Sequence, residues 1–249
     1  MTKRPWPLIG SIAIAIIFIN LIKRFIEIKF FNRIIIAFIL IIFNLIVWWR
    51  DIKREAESGQ HNLTTHIGIK IRILLIITSE VLFFFSFFWR YFWYRNQIIL
   101  NTGIKFPPIG VTTINPYTIP FLNRFTLLSS GVSVTWAHHI VNKNHKRVYI
   151  GLITTVILGL IFTLLQIYEF SNIFFSIEDS IYGSIFFTVT TFHGIHVIVG
   201  SIILLVSIIR LKKGIINKIR HNNIEIAIWY WHFVDVVWLI LYIWVYWWI

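Results

Sequence analysis

The sequence contains no cysteine. Disulfides, thiolate-bound zinc and cysteine-ligated iron–sulfur clusters are therefore excluded. Charge is nearly as scarce: 13% of the 249 residues are Asp, Glu, Lys or Arg, against roughly 25% in a soluble domain. Acidic residues are the rarest class, 10 against 23 Lys and Arg. Gly/Ser linkers and internal repeats are also missing. What fills the chain instead is hydrocarbon, with 57% hydrophobic residues and a mean hydropathy of +0.77. The apolar residues come in long runs parted by short basic or turn-rich segments, the pattern of bilayer spans rather than of a soluble core.

The runs place spans near Leu8–Ile22, Ile34–Trp49, Ile71–Trp93, Leu122–Val141, Tyr149–Phe170, Ile181–Ile209 and Ile226–Ile249. The expected fold class is all-α, a polytopic membrane protein with seven transmembrane helices and termini on opposite sides. The first two runs are short for a hydrocarbon core of about 30 Å and extend into flanking aromatic residues. Lys23 and Arg24 follow the first run and no A-x-A-like cleavage site appears, so it reads as a span rather than a signal peptide. No Arg- and Ser-rich transit peptide precedes it. The domain expectation is a single membrane domain over 1–249, with a two-helix unit at 1–49, a charged connector at 50–70 and a five-helix unit at 71–249. Pro107-Pro108, Asn115-Pro116 and Pro120 break helix in the connector 101–123 and keep it outside the bilayer.

The net charge of +13 is spread over the connectors rather than gathered on one polar domain, which argues against nucleic acid as a partner. Fifteen of the 23 Lys and Arg residues lie on the side that bears the N-terminus. By the positive-inside rule that side faces the cytoplasm or matrix. Trp244, Tyr246, Trp247 and Trp248 then form an aromatic belt at the opposite interface.

Few residues in these spans can carry chemistry. Glu80 lies nine residues into the third run, about 14 Å from its start at about 1.5 Å per residue. An ionised acid near mid-membrane costs about 3 kcal/mol on insertion scales, so Glu80 is expected to stay protonated unless it has a partner. It is a functional candidate. The plainer alternative is a neutral carboxyl group hydrogen-bonded to a neighbouring helix, and the sequence leaves both open. His193 and His196 sit three apart in the sixth run, and His232 and Asp235 repeat the spacing in the seventh. Such pairs can ligate haem or copper. No further set of ligands completes a site, so interhelical hydrogen bonding beside Gly183, Gly194, Gly200 and Ser201 is the favoured reading. Adjacent His138 and His139 point to different helix faces near the interface, where solvation accounts for them. Trp49, Arg50, Lys53, Arg54 and His61, with Arg210 and Arg220, suit anionic lipid head groups. A solvated positive-inside face is the alternative.

Several blocks resemble subunit III of the mitochondrial type of haem–copper cytochrome c oxidase. They include Pro5-Trp6-Pro7-Leu8, Trp48-Trp49-Arg50-Asp51, Ser79-Glu80-Val81-Leu82-Phe83-Phe84 and Thr135-Trp136-Ala137-His138-His139, then Phe192-His193-Gly194-Ile195-His196-Val197 and Trp229-Tyr230-Trp231-His232-Phe233-Val234-Asp235. The blocks run the length of the chain in the family's order. The resemblance implies seven helices, two splayed from five across a lipid-filled cleft, packed beside catalytic subunit I, with subunit II and further subunits in the complex. It implies no cofactor or metal bound by this chain, the haems and coppers belonging to subunits I and II, with structural phospholipids as ligands. Glu80 matches the family's buried, carbodiimide-reactive acid, a modulatory rather than catalytic group. Trp49, Arg54, Glu55, His61 and Arg210 match positions lining the lipid cleft, and His193, His196, His232 and Asp235 remain structural intramembrane polar groups.

There are departures from the family pattern. The usual Phe-Trp-Ala-Phe beyond the acid reads Phe88-Trp89-Arg90-Tyr91-Phe92, and Trp93-Tyr94-Arg95 replaces a common histidine. A usual histidine pair reads Arg220-His221. The expectation is an accessory, non-redox subunit of cytochrome c oxidase in the mitochondrial inner membrane, its N-terminus in the matrix, supporting assembly, stability and sustained proton pumping. The use of Ile, Phe, Asn and Lys suggests a mitochondrially encoded chain. The rivals are the equivalent subunit of a quinol oxidase, an autonomous proton channel or transporter built on Glu80, and an electron carrier with histidine axial ligands.

Overall fold

A computed structural model of the chain describes residues 4–23, 31–59, 62–102, 106–107, 111–141, 145–214 and 222–248. The described residues form seven helices and no strand: α1 (Trp6–Lys23), α2 (Phe31–Glu57), α3 (Leu63–Thr102), α4 (Ile119–Ile140), α5 (His145–Ser171), α6 (Ile181–Lys212) and α7 (Asn222–Leu241). α7 runs on into a π-helical segment, Tyr242–Trp247. In hydrocarbon every backbone N–H and C=O must be satisfied within the segment, which is why the apolar runs become helices.

The breakers stand at helix ends. Pro7 in α1 and Pro120 in α4 occupy first turns, where the missing N–H had no intrahelical partner to lose. Ser180 caps α6 by accepting the Gly183 N–H at 3.0 Å. Just before it, the Ser176 N–H donates to Asp179 and holds that carboxyl below the usual range. Gly59 and Gly214 follow α2 and α6 with φ of 77° and 69°, a left-handed turn that a side chain would strain.

Five helices hold runs long and apolar enough to cross a membrane: Ile35–Ala56, Thr64–Ile99, Lys146–Ser171, Ile181–Lys212 and Asn222–Trp247. α1 carries a shorter apolar stretch, Trp6–Asn20. α4 has the length, at 22 residues, but Asn123, Arg124, Ser130, Ser133, His138 and His139 dilute its hydropathy. Helix ends also differ from those expected. α2 continues to Glu57, and α3 starts at Leu63 and runs 40 residues, about 60 Å at the α-helical rise. Nothing in the charged segments at either end of α3 stops a helix, so it continues past the hydrocarbon.

The chain divides into two compact units, residues 1–68 and 69–249. In the first, α1 and α2 pair through polar contacts near the head of α1. Trp6 Nε1 donates to Asp51 at 2.9 Å, Asn44 Nδ2 donates to the Trp6 carbonyl at 3.1 Å, and Arg4 pairs with Glu55. Gly10 makes room for Asn44, whose Nδ2 would lie 2.8 Å from an added Cβ.

In the second unit Trp231 of α7 is the central post. A Cβ on Gly159 of α5 would come within 2.6 Å of its ring, and one on Gly200 of α6 within 3.0 Å. Its indole N–H donates to Ser130 Oγ of α4 at 2.9 Å. Gly151 brings α5 equally close to α4, with Ala137 Cβ 2.9 Å from an added methyl group. Small residues at such crossings let backbones approach where no hydrophobic force drives helices together in lipid. α3 packs differently, reaching α6 and α7 through rings: Phe83 on Phe192 at 5.0 Å, Phe84 on Phe233 at 6.1 Å, and Phe88 and Phe92 each on Trp244 at 5.0 Å.

Candidate functional site

The aromatic seam between α3 and α6 contains one polar pair. Glu80 lies near the middle of Thr64–Ile99, and His196 near the middle of Ile181–Lys212. Glu80 Oε2 stands 2.9 Å from His196 Nε2. On the other side of the ring, His196 Nδ1 lies 2.7 Å from the Phe192 carbonyl of its own helix. A carbonyl only accepts, so Nδ1 carries a hydrogen and donates it. The Nε2–Oε2 contact then needs one proton between two lone-pair atoms.

That proton can rest on oxygen, giving a neutral acid and a neutral imidazole, or on nitrogen, giving a carboxylate and an imidazolium. The pair is net neutral either way, which makes it tolerable at mid-span. The partner that the depth of Glu80 calls for is thus His196. Phe84, Phe233 and Tyr230 surround the imidazole at 5.3, 5.9 and 6.3 Å between ring centres. Glu80 keeps 33% of its side chain exposed, His196 12%. On this chain the carboxyl group is therefore partly exposed, while its partner is largely enclosed.

The other histidines do not join this pair. His193 is buried between Phe162 and Trp238, and its Nε2–H donates to the Val234 carbonyl at 3.2 Å. The i, i+3 spacing that suggested a common face splits in three dimensions: His193 reaches α7, and His196 reaches α3. His232 Nε2 faces Thr135 Oγ1 at 3.4 Å. Thr135 already donates to the Gly131 carbonyl at 2.7 Å, so its oxygen accepts from His232. Asp235 lies against Gly131, where the absence of a Cβ admits its carboxylate. Among the described residues no group of three His, Cys, Asp or Glu side chains converges as a metal site.

The proposed lipid residues fall in both units. In the first, Trp49 is exposed, and Arg54 and Glu55 line a cavity of about 290 Å³ with Arg4, Asp51 and Ser58. In the second, Arg210 is half-buried in the last turn of α6, its Nε without a partner among the described residues. His61 lies outside the described residues.

Sequence reasoning assigned Glu80 and His196 to separate classes and missed that they are one unit. No local spacing links residues so far apart in the chain; only the matching mid-span depth of the two could have suggested it. It also missed the ion pair of Lys70 and Glu225 at 2.6 Å, which joins the start of α3 to the start of α7, and the buried Glu169 of α5.

Comparison with known proteins agrees with the motif order. The profile of the family described as cytochrome c oxidase subunit III matches residues 1–249. A cytochrome c oxidase subunit 3 of Drosophila melanogaster is 46% identical over 98% of this chain and 94% of its own length. One from Paracentrotus lividus is 45% identical over 99% and 95%, and one from Pisaster ochraceus 46% identical over 99% and 95%.

Proposed function

The chain belongs to the cytochrome c oxidase subunit III family, and on that premise we propose that it is the accessory, non-redox subunit of a proton-translocating cytochrome c oxidase. The observation that carries the reading at the level of chemistry is the Glu80–His196 pair. It can hold a proton and shift it by a fraction of an ångström, yet no described side chain extends it into a chain across the membrane. A modulatory group fits that geometry better than a channel. The quinol-oxidase reading is not favoured, since the relatives are cytochrome c oxidase subunits.

In this reading the chain packs against subunit I, with subunit II and others nearby, and the haems and coppers reside in those partners. It sits in the mitochondrial inner membrane with its N-terminus in the matrix, and is made inside the organelle. Trp49, Arg54, Glu55 and His61 in the first unit, and Arg210 in the second, hold anionic phospholipid head groups. The exposed Arg54 beside its cavity and the unpartnered Nε of Arg210 support that role.

The native complex containing this chain tests the assignment. It should oxidise cytochrome c, and a complex that oxidises ubiquinol but not cytochrome c overturns it. In the assembled complex Glu80→Gln should leave initial cytochrome c oxidation nearly intact while reducing pumping or the number of turnovers before inactivation. Loss of all turnover would refute the modulatory role. Neutralising Arg54 and Arg210 should lower the anionic lipid retained on purification; unchanged lipid by mass spectrometry would remove the lipid assignment.

A further inference from the structure

A second set of buried polar groups gathers in the 69–249 unit, at the end where α7 finishes and away from the mid-span pair. Asn123 of α4, Gln166 and Glu169 of α5, and Tyr246 of the π-helical segment are 0%, 5%, 3% and 1% exposed. Asn123 Nδ2 reaches Gln166 Oε1 only at 3.5 Å and Glu169 Oε2 only at 3.4 Å. Both contacts are long for N–H···O bonds, whose usual distance is about 2.9 Å. The Tyr246 hydroxyl interacts with Gln166 and Glu169, but outside good hydrogen-bond geometry. Asn123 Oδ1, Gln166 Nε2, Glu169 Oε1 and Tyr246 Oη are thus left without partners among the described residues. No Lys, Arg or His among the described residues pairs with Glu169.

We propose that Asn123, Gln166, Glu169 and Tyr246 form a binding site for one buried water molecule. The four free atoms are two acceptors, Asn123 Oδ1 and Glu169 Oε1, and two donors, Gln166 Nε2–H and Tyr246 O–H. Water offers two O–H donors and two lone pairs, which match these acceptors and donors in number, and buried waters make two to four such bonds. A metal cation fits less well. Each amide keeps an NH₂ group inside the cluster whichever way it is turned, and a cation would repel both.

The depth suits exchange with solvent. Asn123 is four residues from the start of α4 and Glu169 two from the end of α5, so the site lies within about 6 Å of those helix ends. It brings together polar groups of α4, α5 and the segment that follows α7. The site is independent of Glu80, and its fate does not bear on the function proposed above.

The test is a map of the assembled oxidase fine enough to resolve ordered water. A peak is expected at about 2.6–3.2 Å from Asn123 Oδ1, Gln166 Nε2 and Glu169 Oε1. Side chains bonded directly to one another with no peak between them would overturn the proposal. So would a peak ringed only by oxygens at about 2.3–2.6 Å, the signature of a cation such as calcium. In Glu169→Gln the amide oxygen accepts the same bond and the peak should remain, whereas Asn123→Leu should lose it. A peak unmoved in Asn123→Leu also refutes the site. The unsubstituted complex decides the matter alone should that variant fail to assemble.

Discussion

Two seams within residues 69–249 solve helix packing in opposite ways. Where α4, α5, α6 and α7 meet, glycines bring backbones together around the single indole of Trp231. Where α3 meets α6 and α7, phenylalanine and tryptophan rings hold the helices apart and interlock edge to face. Short hydroxyls bond across the first seam, such as Ser133 to Thr155 at 2.7 Å. The second has room for a carboxyl group and an imidazole at mid-span. Tight packing and the Glu80–His196 pair thus occupy different interfaces of one unit.

The sharpest break comes from the glycine seam. Gly159→Leu drives a branched side chain into Trp231 and should cost more than about 3 kcal/mol. The expected readout is loss of this subunit from the purified complex, and normal subunit stoichiometry would mean the seam is not as tight as described. Trp231→Phe removes the indole bond to Ser130 and opens a small cavity, about 2 kcal/mol together. Thermal dissociation of the subunit from the complex should fall correspondingly.

The aromatic seam should respond more mildly. His196→Leu leaves the Glu80 carboxyl without its partner at a cost of about 1–3 kcal/mol. Glu80→Gln should cost less than about 1 kcal/mol, because the amide N–H still donates to Nε2. Once Glu80 is Gln, the loss of His196 should matter less. Equal and additive losses in the double variant would mean that the two residues do not act as a pair. Carbodiimide labelling should vanish in Glu80→Gln and change in rate in His196→Leu. Phe83→Leu, which removes one ring from the seam, should cost about 1 kcal/mol. Lys70→Met is the smallest effect expected, below about 1 kcal/mol, because the ion pair with Glu225 is partly exposed and screened.

Much of this was legible in the chain. Apolar runs announce seven helices because each must be long enough to cross hydrocarbon and satisfy its own backbone, a local requirement. The depth of Glu80 follows from helical rise alone. Helix ends were less legible: α2 and α3 extend beyond the expected spans because charge ends hydropathy without ending a helix. α4 marks the other limit. Asn123, Ser130, Ser133 and Thr135 break up its apolar run, and they are explained only by the partners they meet in α5 and α7. The histidines illustrate the same gap, since a spacing of three places His193 and His196 on adjacent strips of one helix and leaves open which neighbour each strip faces.

The sequence by itself determined the fold class, the count and rough placement of the helices, the family and the mid-membrane position of one acid. All of these depend on composition, order and rise along a single chain. Tertiary structure alone decided that Glu80 meets His196, that Trp231 fills the space left by Gly159 and Gly200, and that Asn123 meets Glu169. Those facts belong to pairs of residues far apart in sequence, and lateral helix packing, which no hydropathy pattern encodes, brings them together.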